Sequence, residues 1–261
     1  MPKYLEVAET AARAGAKILL AWQNRITARE KAPKDLVTEA DVASQEEIRK
    51  ILLGAFPDHD FVGEEDGLEP SQVRATSRFR WIVDPLDGTA NYVHGLQSFA
   101  VSIALAEEGQ IIAGLIYDPI LDECYTAAVG EGAFCNGKPI RPSRCERLDQ
   151  AMIAASFPPQ VPRGSIEITR FIEVLHRCQS VRRLGSCALN LCYVACGRLD
   201  GYWTTCVKAW DAAAGILIVQ EAGGLATDLD GGPFDLDRPE FIASASPTVH
   251  AELKAALQAV Q

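Results

Sequence analysis

A hydrophobic segment that ends in two carboxylates is the part of this sequence best suited to chemistry. Residues 81–83 (Trp-Ile-Val) predict a buried strand, and Asp84 and Asp87 follow it, three positions apart. Carboxylates gathered at one strand end repel each other unless a cation lies between them. Their hard oxygen atoms are the ligands that Mg²⁺ prefers. The alternative is an ordinary strand followed by an acidic turn.

The residues beside these aspartates suit an anionic ligand. Pro85 fixes its own φ and stiffens the turn, while Gly88 lets the backbone come close to a bound molecule. If a helix begins there, the free amides of Gly88 and Thr89 point at the ligand, as amides do in phosphate sites. The segment therefore predicts a cation held by carboxylates and a phosphate held by backbone N–H groups.

Two further acidic positions are weaker signals when taken alone. Glu64, Glu65 and Asp66 follow a short apolar run and would usually form a solvated loop. Asp211 comes directly after Trp210 at the start of an apolar helix, where an acidic residue is more often a cap or a partner of the helix dipole than a metal ligand.

Taken together, these segments resemble the inositol monophosphatase-like phosphatases, a branch of the Mg²⁺-dependent, lithium-sensitive sugar phosphatase superfamily. The resemblance covers nearly the whole chain. Three separated blocks occur in the same order and at the same spacing as in the family, which makes the match specific. The residues that carry it are 63–65, 81–95, 184–186 with 189–203, and 210–211 with 221–224.

The resemblance implies a role for each matching residue. Two or three Mg²⁺ ions would be held by Glu64, Asp84, the backbone carbonyl of Leu86, Asp87 and Asp211. The catalytic residues would be Asp41, Thr89 and Glu64. In the family, the first two form a hydrogen-bonded pair that, with the glutamate, orients and deprotonates a metal-bound water for in-line attack on phosphorus. Since a metal lowers the pKa of water, none of the four histidines is needed as a base.

The resemblance also implies the substrate contacts. These would come from Gly88 and Thr89 at the phosphate, from Asp211, and from Gly185, Ser186 and Cys187 at the ring hydroxyls. Ser186 could equally be a simple helix cap.

The sequence departs from the family at one substrate position. Inositol-specific members carry a glutamate seven residues before the last aspartate, where this chain has Thr204. A neutral hydroxyl cannot replace a carboxylate as a charge-assisted acceptor, a loss on the order of 1.5–3 kcal/mol. Lys208 would add a positive charge at the rim if it points inward, and Lys31 or Lys34 could approach the phosphate; solvated roles are the alternative for all three.

The resemblance implies a phosphomonoesterase that acts on a small polyol or sugar phosphate, with inositol 1-phosphate as the default substrate. Histidinol phosphate, fructose 1,6-bisphosphate and a nucleotide 3′-phosphate remain alternatives. A protein-binding regulator that has kept the fold is the alternative from another class. Homodimer formation and lithium sensitivity are further expectations from the family.

Several elements must position these residues. The apolar periodicity predicts a helix over 4–23 and a polar loop over 24–36. A second helix follows and ends at Gly54 and Pro57; its start, Thr38 to Asp41, has the spacing of a capping box but aspartate where Glu or Gln is usual. Further helices are expected at 166–178, 188–196, 212–222 and 249–260. Short strands are expected at 61–62, 81–83, 99–106, 111–117, 124–129, 152–156, 202–203, 225–227 and 241–243, with a tight turn at 108–110.

The mixture of strands and helices, with the resemblance, predicts an α/β (α+β) fold, the layered α-β-α-β-α sandwich of the inositol monophosphatase type. We expect one domain over 1–261, with an amino-terminal half of about 1–150, a carboxy-terminal half of about 151–261 and the active site between them.

Composition limits the partners. The 261 residues carry 25 Lys and Arg against 35 Asp and Glu, a net charge of −10 that argues against nucleic-acid binding. Charges interrupt the apolar stretch at the amino end, so a signal peptide is not expected, and no run is long enough to cross a membrane. We expect a cytoplasmic protein. The eight cysteines contain no C-x-x-C pair and are expected to be buried, reduced thiols; a structural zinc site or a disulfide is the alternative.

Overall fold

The computed structural model of the chain describes residues 2–23, 28–32 and 35–260, with residues 28–32 and 35–37 described by their backbone. These residues form seven α-helices: α1 Lys3–Trp22, α2 Glu39–Ala55, α3 Thr89–Val93, α4 Ile166–Arg177, α5 Cys187–Ala195, α6 Ala209–Ala222 and α7 Pro247–Gln258. The strands are β1 Ala28–Ala32, β2 Asp35–Thr38, β3 Asp60–Gly63, β4 Phe79–Asp87, β5 Ala100–Glu107, β6 Gln110–Asp118, β7 Glu123–Ala128, β8 Gly132–Cys135, β9 Lys138–Pro139, β10 Met152–Ala155, β11 Ser180–Arg182, β12 Gly201–Thr204, β13 Leu225–Thr227 and β14 Phe241–Ser244.

The larger sheet contains seven strands in the sequential order β3 to β9. Only β3 and β4 run parallel, and every other neighbouring pair is antiparallel. The carboxyl ends of β3 and β4 therefore meet at one edge of the sheet, which is where ligands collect in α/β proteins.

The smaller sheet has five strands in the order β11-β10-β12-β14-β13. Here β10 is parallel to both of its neighbours, while β14 is antiparallel to β12 and β13.

The elements stack in five layers. One apolar core lies between the helices α1 and α2 and one face of the larger sheet. The second core joins the other face of that sheet to α5, α6 and the smaller sheet. The third lies between the smaller sheet and the helices α4 and α7. This order of helices, sheet, helices, sheet and helices confirms the predicted α-β-α-β-α sandwich.

The longer elements lie where their periodicity predicts them. α1 is displaced by one residue from the predicted range, and α6 begins at Ala209, three residues early. The turn between β5 and β6 is also confirmed: Glu107 pairs with Gln110, and Glu108 and Gly109 adopt φ values of 50° and 86°. Positive φ at both central residues matches the right-handed twist of the strands, as in most two-residue hairpins.

The polar loop predicted over 24–36 is wrong in its described part. β1 and β2 form an antiparallel pair there, with Arg29 opposite Val37. A two-stranded hairpin is held by backbone hydrogen bonds and can form without an apolar alternation, so the periodicity gave no signal. The short strands β8, β9 and β11 were also missed, because each has only two to four residues and so leaves little periodicity.

The burial predicted for the cysteines is only partly confirmed. All eight are free thiols, and Cys124, Cys187 and Cys192 are buried, whereas the other five are half-buried. Among the described helices, none combines the length and the apolar character needed to span a bilayer.

Candidate active site

A bulge at the end of β4 places its two aspartates. On the neighbouring strand β5, Ser102 lies opposite Asp84 and Ala100 lies opposite Asp87. Three steps along β4 are thus matched by two steps along β5, so β4 contains one extra residue. On a regular strand, side chains three positions apart point to opposite faces, and an extra residue re-aims one of them. Both carboxylates therefore face the same cleft.

A third carboxylate joins them from the other half of the chain. Asp211 lies in the first turn of α6, where its carboxylate accepts a hydrogen bond from the backbone N–H of Lys208 at 2.9 Å. One carboxylate oxygen from each of Asp84, Asp87 and Asp211 lies within 4.8 Å of the other two. Asp84 is 1% exposed and Asp87 is 7% exposed, so water screens their repulsion poorly.

The electrostatics of this carboxylate cluster (Asp84, Asp87 and Asp211) favour protonation when no cation is present. Burial raises the pKa of Asp84 well above its usual range, and repulsion from Glu64 and from the other two aspartates adds to it. The pKa of Asp211 is raised by the same two causes. Burial also raises the pKa of Asp87, to about 6, even though three donors from α5 partly offset it.

The cluster fits a hard divalent cation. Its donors are carboxylate oxygens, which suit such ions, and a bound cation would remove the repulsion that raises the pKa values. The backbone of Leu86, predicted to supply a carbonyl ligand, lines the same cleft. Its N–H donates to Asp84 Oδ1 at 2.9 Å, which holds the turn between the two aspartates.

Glu64 reaches the cleft from the neighbouring strand. β3 ends at Gly63 and a short 3₁₀ helix, Glu64–Asp66, follows. Gln45 of α2 fixes this turn, because its side-chain oxygen accepts from the N–H of Glu65 at 2.9 Å. Asp66 forms an ion pair with Arg49 and leaves Glu64 as the acidic residue of the turn that lines the cleft.

Asp41 and Thr89 lie side by side behind the carboxylate cluster. The hydroxyl of Thr89 is 3.4 Å from Asp41 Oδ1 and 3.1 Å from the carbonyl oxygen of Leu86, to either of which it can donate. Asp41 also completes the predicted capping box of α2, since its Oδ2 accepts from the N–H of Thr38 at 2.9 Å. Burial raises the pKa of Asp41 to about 6, against the opposing hydrogen bonds from Thr38.

Gly88 lies where two backbones approach closely. Its φ is +95°, and a Cβ at this position would lie 2.9 Å from the carbonyl oxygen of Ser98 and 3.4 Å from that of Gly185. Asn91 joins the same segments, because its side-chain amide donates to the carbonyls of Ser98 and Leu184, each at 2.7 Å. The segment around Gly185 is thereby held against the end of β4.

The amino end of α5 binds an aspartate of the cluster. Ser186 is the N-cap of α5, and its hydroxyl donates to Asp87 Oδ2. The backbone amides of Cys187 and Ala188 donate to the same carboxylate at 3.1 and 2.9 Å. Ser186 is completely buried and does not line the cleft, so the structure places its hydroxyl on Asp87 and not at the predicted substrate position. Gly185 and Cys187 do line the cleft.

Thr204 lies behind the cleft wall. The side chain is fully buried, and its oxygen accepts from the N–H of Cys206 at 3.4 Å. Cys206 and Val207 line the cleft in its place, which the sequence did not indicate. The hydroxyl of Thr204 therefore does not occupy the position at which the resemblance implies a substrate contact.

Six more cleft residues were not among the predicted site residues: Ala90 and Asn91, which follow Thr89 in α3, and Ser156, Phe157, Pro159 and Arg183 from the carboxy-terminal half. The four from the carboxy-terminal half belong to no motif. The only sequence signal for Arg183 is its position two residues before the Gly185–Ser186 pair that carries the resemblance.

Of the lysines considered at the sequence level, Lys208 has a described side chain, and it does not line the cleft. Lys208 extends to Glu69, with Nζ 2.7 Å from Oε1. Lys34 and the side chain of Lys31 lie outside the described residues.

The histidines also lie elsewhere. His59 stacks between Phe56 and Phe79, at 4.8 Å from each ring. His250 is buried and bonds the hydroxyl of Ser244 at 2.7 Å. His94 and His176 are exposed and are absent from the cleft wall. This agrees with the interpretation that no histidine serves as a base.

The cleft has a volume of about 480 Å³ and takes walls from both halves of the chain. The charged residues that line it are four carboxylates and one arginine. Such a site can bind cations at its acidic end and, through them, an anionic group of a small molecule.

Comparison with known proteins agrees with this geometry. The model of the inositol monophosphatase family matches residues 2–261. An inositol-1-monophosphatase of Mesorhizobium japonicum is 44% identical over 86% of this chain and 84% of its own length. A Nus factor SuhB of Pasteurella multocida is 40% identical over 94% of this chain and 92% of its own. The solved structure of inositol monophosphatase from Anabaena superposes with a TM-score of 0.87 at 35% identity, covering 99% of this chain and 96% of that one.

Proposed function

Because this chain belongs to the inositol monophosphatase family of phosphatases, we propose that it is a Mg²⁺-dependent phosphomonoesterase acting on a small polyol or sugar phosphate. One observation carries the proposal: three aspartates from two distant segments converge within 4.8 Å at the acidic end of a cleft. Such a cluster costs stability unless a cation offsets the repulsion, so its presence favours a metal-dependent function.

In this proposal, one set of groups in the chain binds the metal ions and another binds the phosphate. Glu64, Asp84, Asp87, Asp211 and the carbonyl of Leu86 would hold two or three Mg²⁺ ions. When bound, Mg²⁺ neutralises phosphate charge, lowers the pKa of water and stabilises a leaving alkoxide. The amides of Gly88 and Thr89 lie beside the acidic end of the cleft and would receive phosphate oxygens.

Thr89 and Asp41 would orient the attacking water. If the Thr89 hydroxyl donates to Asp41, a lone pair of Oγ1 remains to accept a hydrogen bond from a water in the cleft. Burial raises the pKa of Asp41 to about 6, which lets this carboxylate exchange a proton near neutral pH.

Inositol 1-phosphate is the default substrate in this proposal. The identity to a named inositol-1-monophosphatase supports it. The buried side chain of Thr204 supplies no carboxylate for the ring hydroxyls, which keeps histidinol phosphate, fructose 1,6-bisphosphate and nucleotide 3′-phosphates as candidates.

The test is phosphate release from a panel of these esters, with Mg²⁺ and with a chelator. We expect turnover of at least one ester that depends on Mg²⁺ and is lost in Asp87→Asn. Asp58→Asn, which changes an exposed aspartate outside the cleft, is the matched control and should retain wild-type rates. Absence of turnover on every ester in Mg²⁺ would contradict the proposal.

A regulator that binds other proteins is the second candidate. The name of the Pasteurella relative, a Nus factor, is the observation that favours it. A regulatory role predicts a cellular phenotype that survives Asp87→Asn, whereas an enzymatic role predicts its loss. The two functions are thus separated by one variant.

We also propose that the protein forms a homodimer. This proposal rests only on its membership of the family. Sedimentation equilibrium of the purified chain tests it, with and without Mg²⁺. A monomer of 28.3 kDa under both conditions would contradict it.

A further inference from the structure

Arg183 is the only cationic side chain among the described residues that line the cleft. The other charged residues there are the acidic Glu64, Asp84, Asp87 and Asp211. Within the described part of the chain, no carboxylate forms an ion pair with Arg183, and its guanidinium packs over the ring of Phe157. A guanidinium that faces a binding cleft without an anionic partner in the protein is available to an anion from solution.

The backbone holds Arg183 at a fixed place relative to the carboxylate cluster. It follows directly after β11, whose last residue, Arg182, pairs with Ala154 of β10. The next residue, Leu184, is bound through its carbonyl to the side-chain amide of Asn91 at 2.7 Å. Because both of its neighbours in the chain are hydrogen-bonded to other elements, the backbone of Arg183 is held in place beside the cleft.

An aromatic surface holds its side chain. The guanidinium carbon lies 5.4 Å from the centre of the Phe157 ring, and Phe157 lies edge-on against Phe171 of α4 at 5.5 Å. Phe157 also lines the cleft. A cation–π contact of this kind restrains the guanidinium and leaves its N–H groups able to donate to a planar or tetrahedral anion.

The neighbouring cations are not available in the same way. Lys208 is engaged by Glu69 at 2.7 Å. Arg182 donates to the carbonyl of Val181 at 3.0 Å and does not line the cleft. Among the described residues, Arg183 is therefore the one that brings a positive charge to the lining of the cleft.

We propose that Arg183 is a specificity-determining residue that binds a second anionic group on the substrate, remote from the phosphate that is hydrolysed. The proposal rests on the phosphomonoesterase function above. With the scissile phosphate at the acidic end, the remainder of the substrate extends along the cleft, and an anion on it would meet the guanidinium. A second phosphate suits the bidentate donors of arginine, and a carboxylate has the same chemistry.

The experiment measures kcat and KM of the wild type, Arg183→Gln and Arg183→Lys on three esters. Glycerol 2-phosphate has a neutral remainder, 2-phosphoglycerate adds a carboxylate, and fructose 1,6-bisphosphate adds a phosphate. In Arg183→Gln we expect the KM for an anionic ester to rise about tenfold relative to that for glycerol 2-phosphate, in line with the loss of one charge-assisted contact. The kcat should change less than KM. Arg183→Lys should recover part of the preference, and whichever anionic ester responds identifies the group.

Arg182→Gln is the matched control, because it removes the adjacent arginine that does not face the cleft. It should keep the wild-type ratio of KM values. An equal change of KM on all three esters in Arg183→Gln would overturn the proposal, and so would a loss confined to kcat.

Calorimetric binding of the same compounds in Ca²⁺ makes the test independent of turnover. If the wild type hydrolyses none of the esters, the proposed function fails, yet a role for Arg183 still predicts weaker binding of an anionic ester to Arg183→Gln. Equal affinities of the wild type and Arg183→Gln would then reject the role of Arg183 by itself.

Discussion

The two ends of the parallel pair β3 and β4 carry aspartates with opposite surroundings. At the amino end, Asp60 accepts hydrogen bonds from Thr76 and Ser77 and lies 3.6 Å from a guanidinium nitrogen of Arg80. Burial alone would raise the pKa of Asp60, but these partners hold it below its usual range. At the carboxyl end, burial and three neighbouring carboxylates raise the pKa of Asp84.

The difference separates a structural carboxylate from a functional one. Both side chains are largely removed from water, but the protein supplies Asp60 with donors and a cation and supplies Asp84 with more negative charge. A fold tolerates the second arrangement when a ligand from solution provides the missing positive charge. Sequence composition cannot distinguish them, since both are aspartates at the ends of adjacent strands.

The largest expected effect is on catalysis. Asp84→Asn or Asp211→Asn should lower kcat/KM at least about 100-fold, because even residues that only support metal ligands give losses of 10–100-fold. The control, Asp60→Asn, should keep its activity and lose about 1–3 kcal/mol of stability through its broken hydrogen bonds. Steady-state kinetics and urea unfolding measure the two quantities. If Asp60→Asn lost activity while folded, the distinction between the two ends would be wrong.

The next effect concerns Asp87, which α5 binds through three donors. Ser186→Ala removes one of them and should weaken Mg²⁺ binding about tenfold, as loss of a group that orients a ligand does. Ser246→Ala is the matched control: it removes the N-cap of α7, away from the cleft, and should cost stability without changing Mg²⁺ affinity. Titration calorimetry measures the affinity. Equal affinities in both variants would show that Ser186 acts as a helix cap only.

A smaller effect is expected on the stability of the metal-free protein. The pKa of Asp84 is raised in the folded state, so the protonated form is favoured there. The protonated Asp84 therefore stabilises the folded protein below about pH 4. This stabilisation is lost as the pH rises through the pKa of Asp84 in the folded state.

In a chelator at pH 8, Asp84→Asn should therefore unfold at a higher temperature than the wild type, by on the order of 3 °C. The advantage should disappear near pH 4, and Mg²⁺ should reverse it. Differential scanning calorimetry at both pH values measures it. A variant less stable than the wild type in chelator at pH 8 would contradict the repulsion assigned to the cluster.

The last prediction concerns the backbone beside the cluster. Gly88→Ala should cost more stability than Gly67→Ala, because both residues have positive φ but only at Gly88 would a Cβ meet a carbonyl oxygen, at 2.9 Å. We expect a difference of about 1–2 kcal/mol, typical of overpacking. Chemical denaturation of both variants measures it, and equal losses would mean that the close approach relaxes freely.

Much of the fold could be predicted because each long helix or strand has a recognisable pattern in its own stretch of sequence. The spacing of apolar residues located α1, Glu108 and Gly109 located the hairpin turn, and Thr38 with Asp41 located the start of α2. The strands β8, β9 and β11 and the β1–β2 hairpin were not predicted, since strands of two to five residues leave too little periodicity to identify them.

The candidate site was predictable as a set of residues but not as an arrangement. The sequence by itself determined which carboxylates are present, their order along the chain and the family they indicate. Only the tertiary structure decided that an extra residue in β4 turns Asp84 and Asp87 to one side, that Ser186 binds Asp87, that Thr204 is buried and that Arg183 faces the cleft. The physical reason is distance along the chain: local periodicity specifies which face of an element is buried, whereas contacts between residues about a hundred positions apart depend on how the packed layers meet.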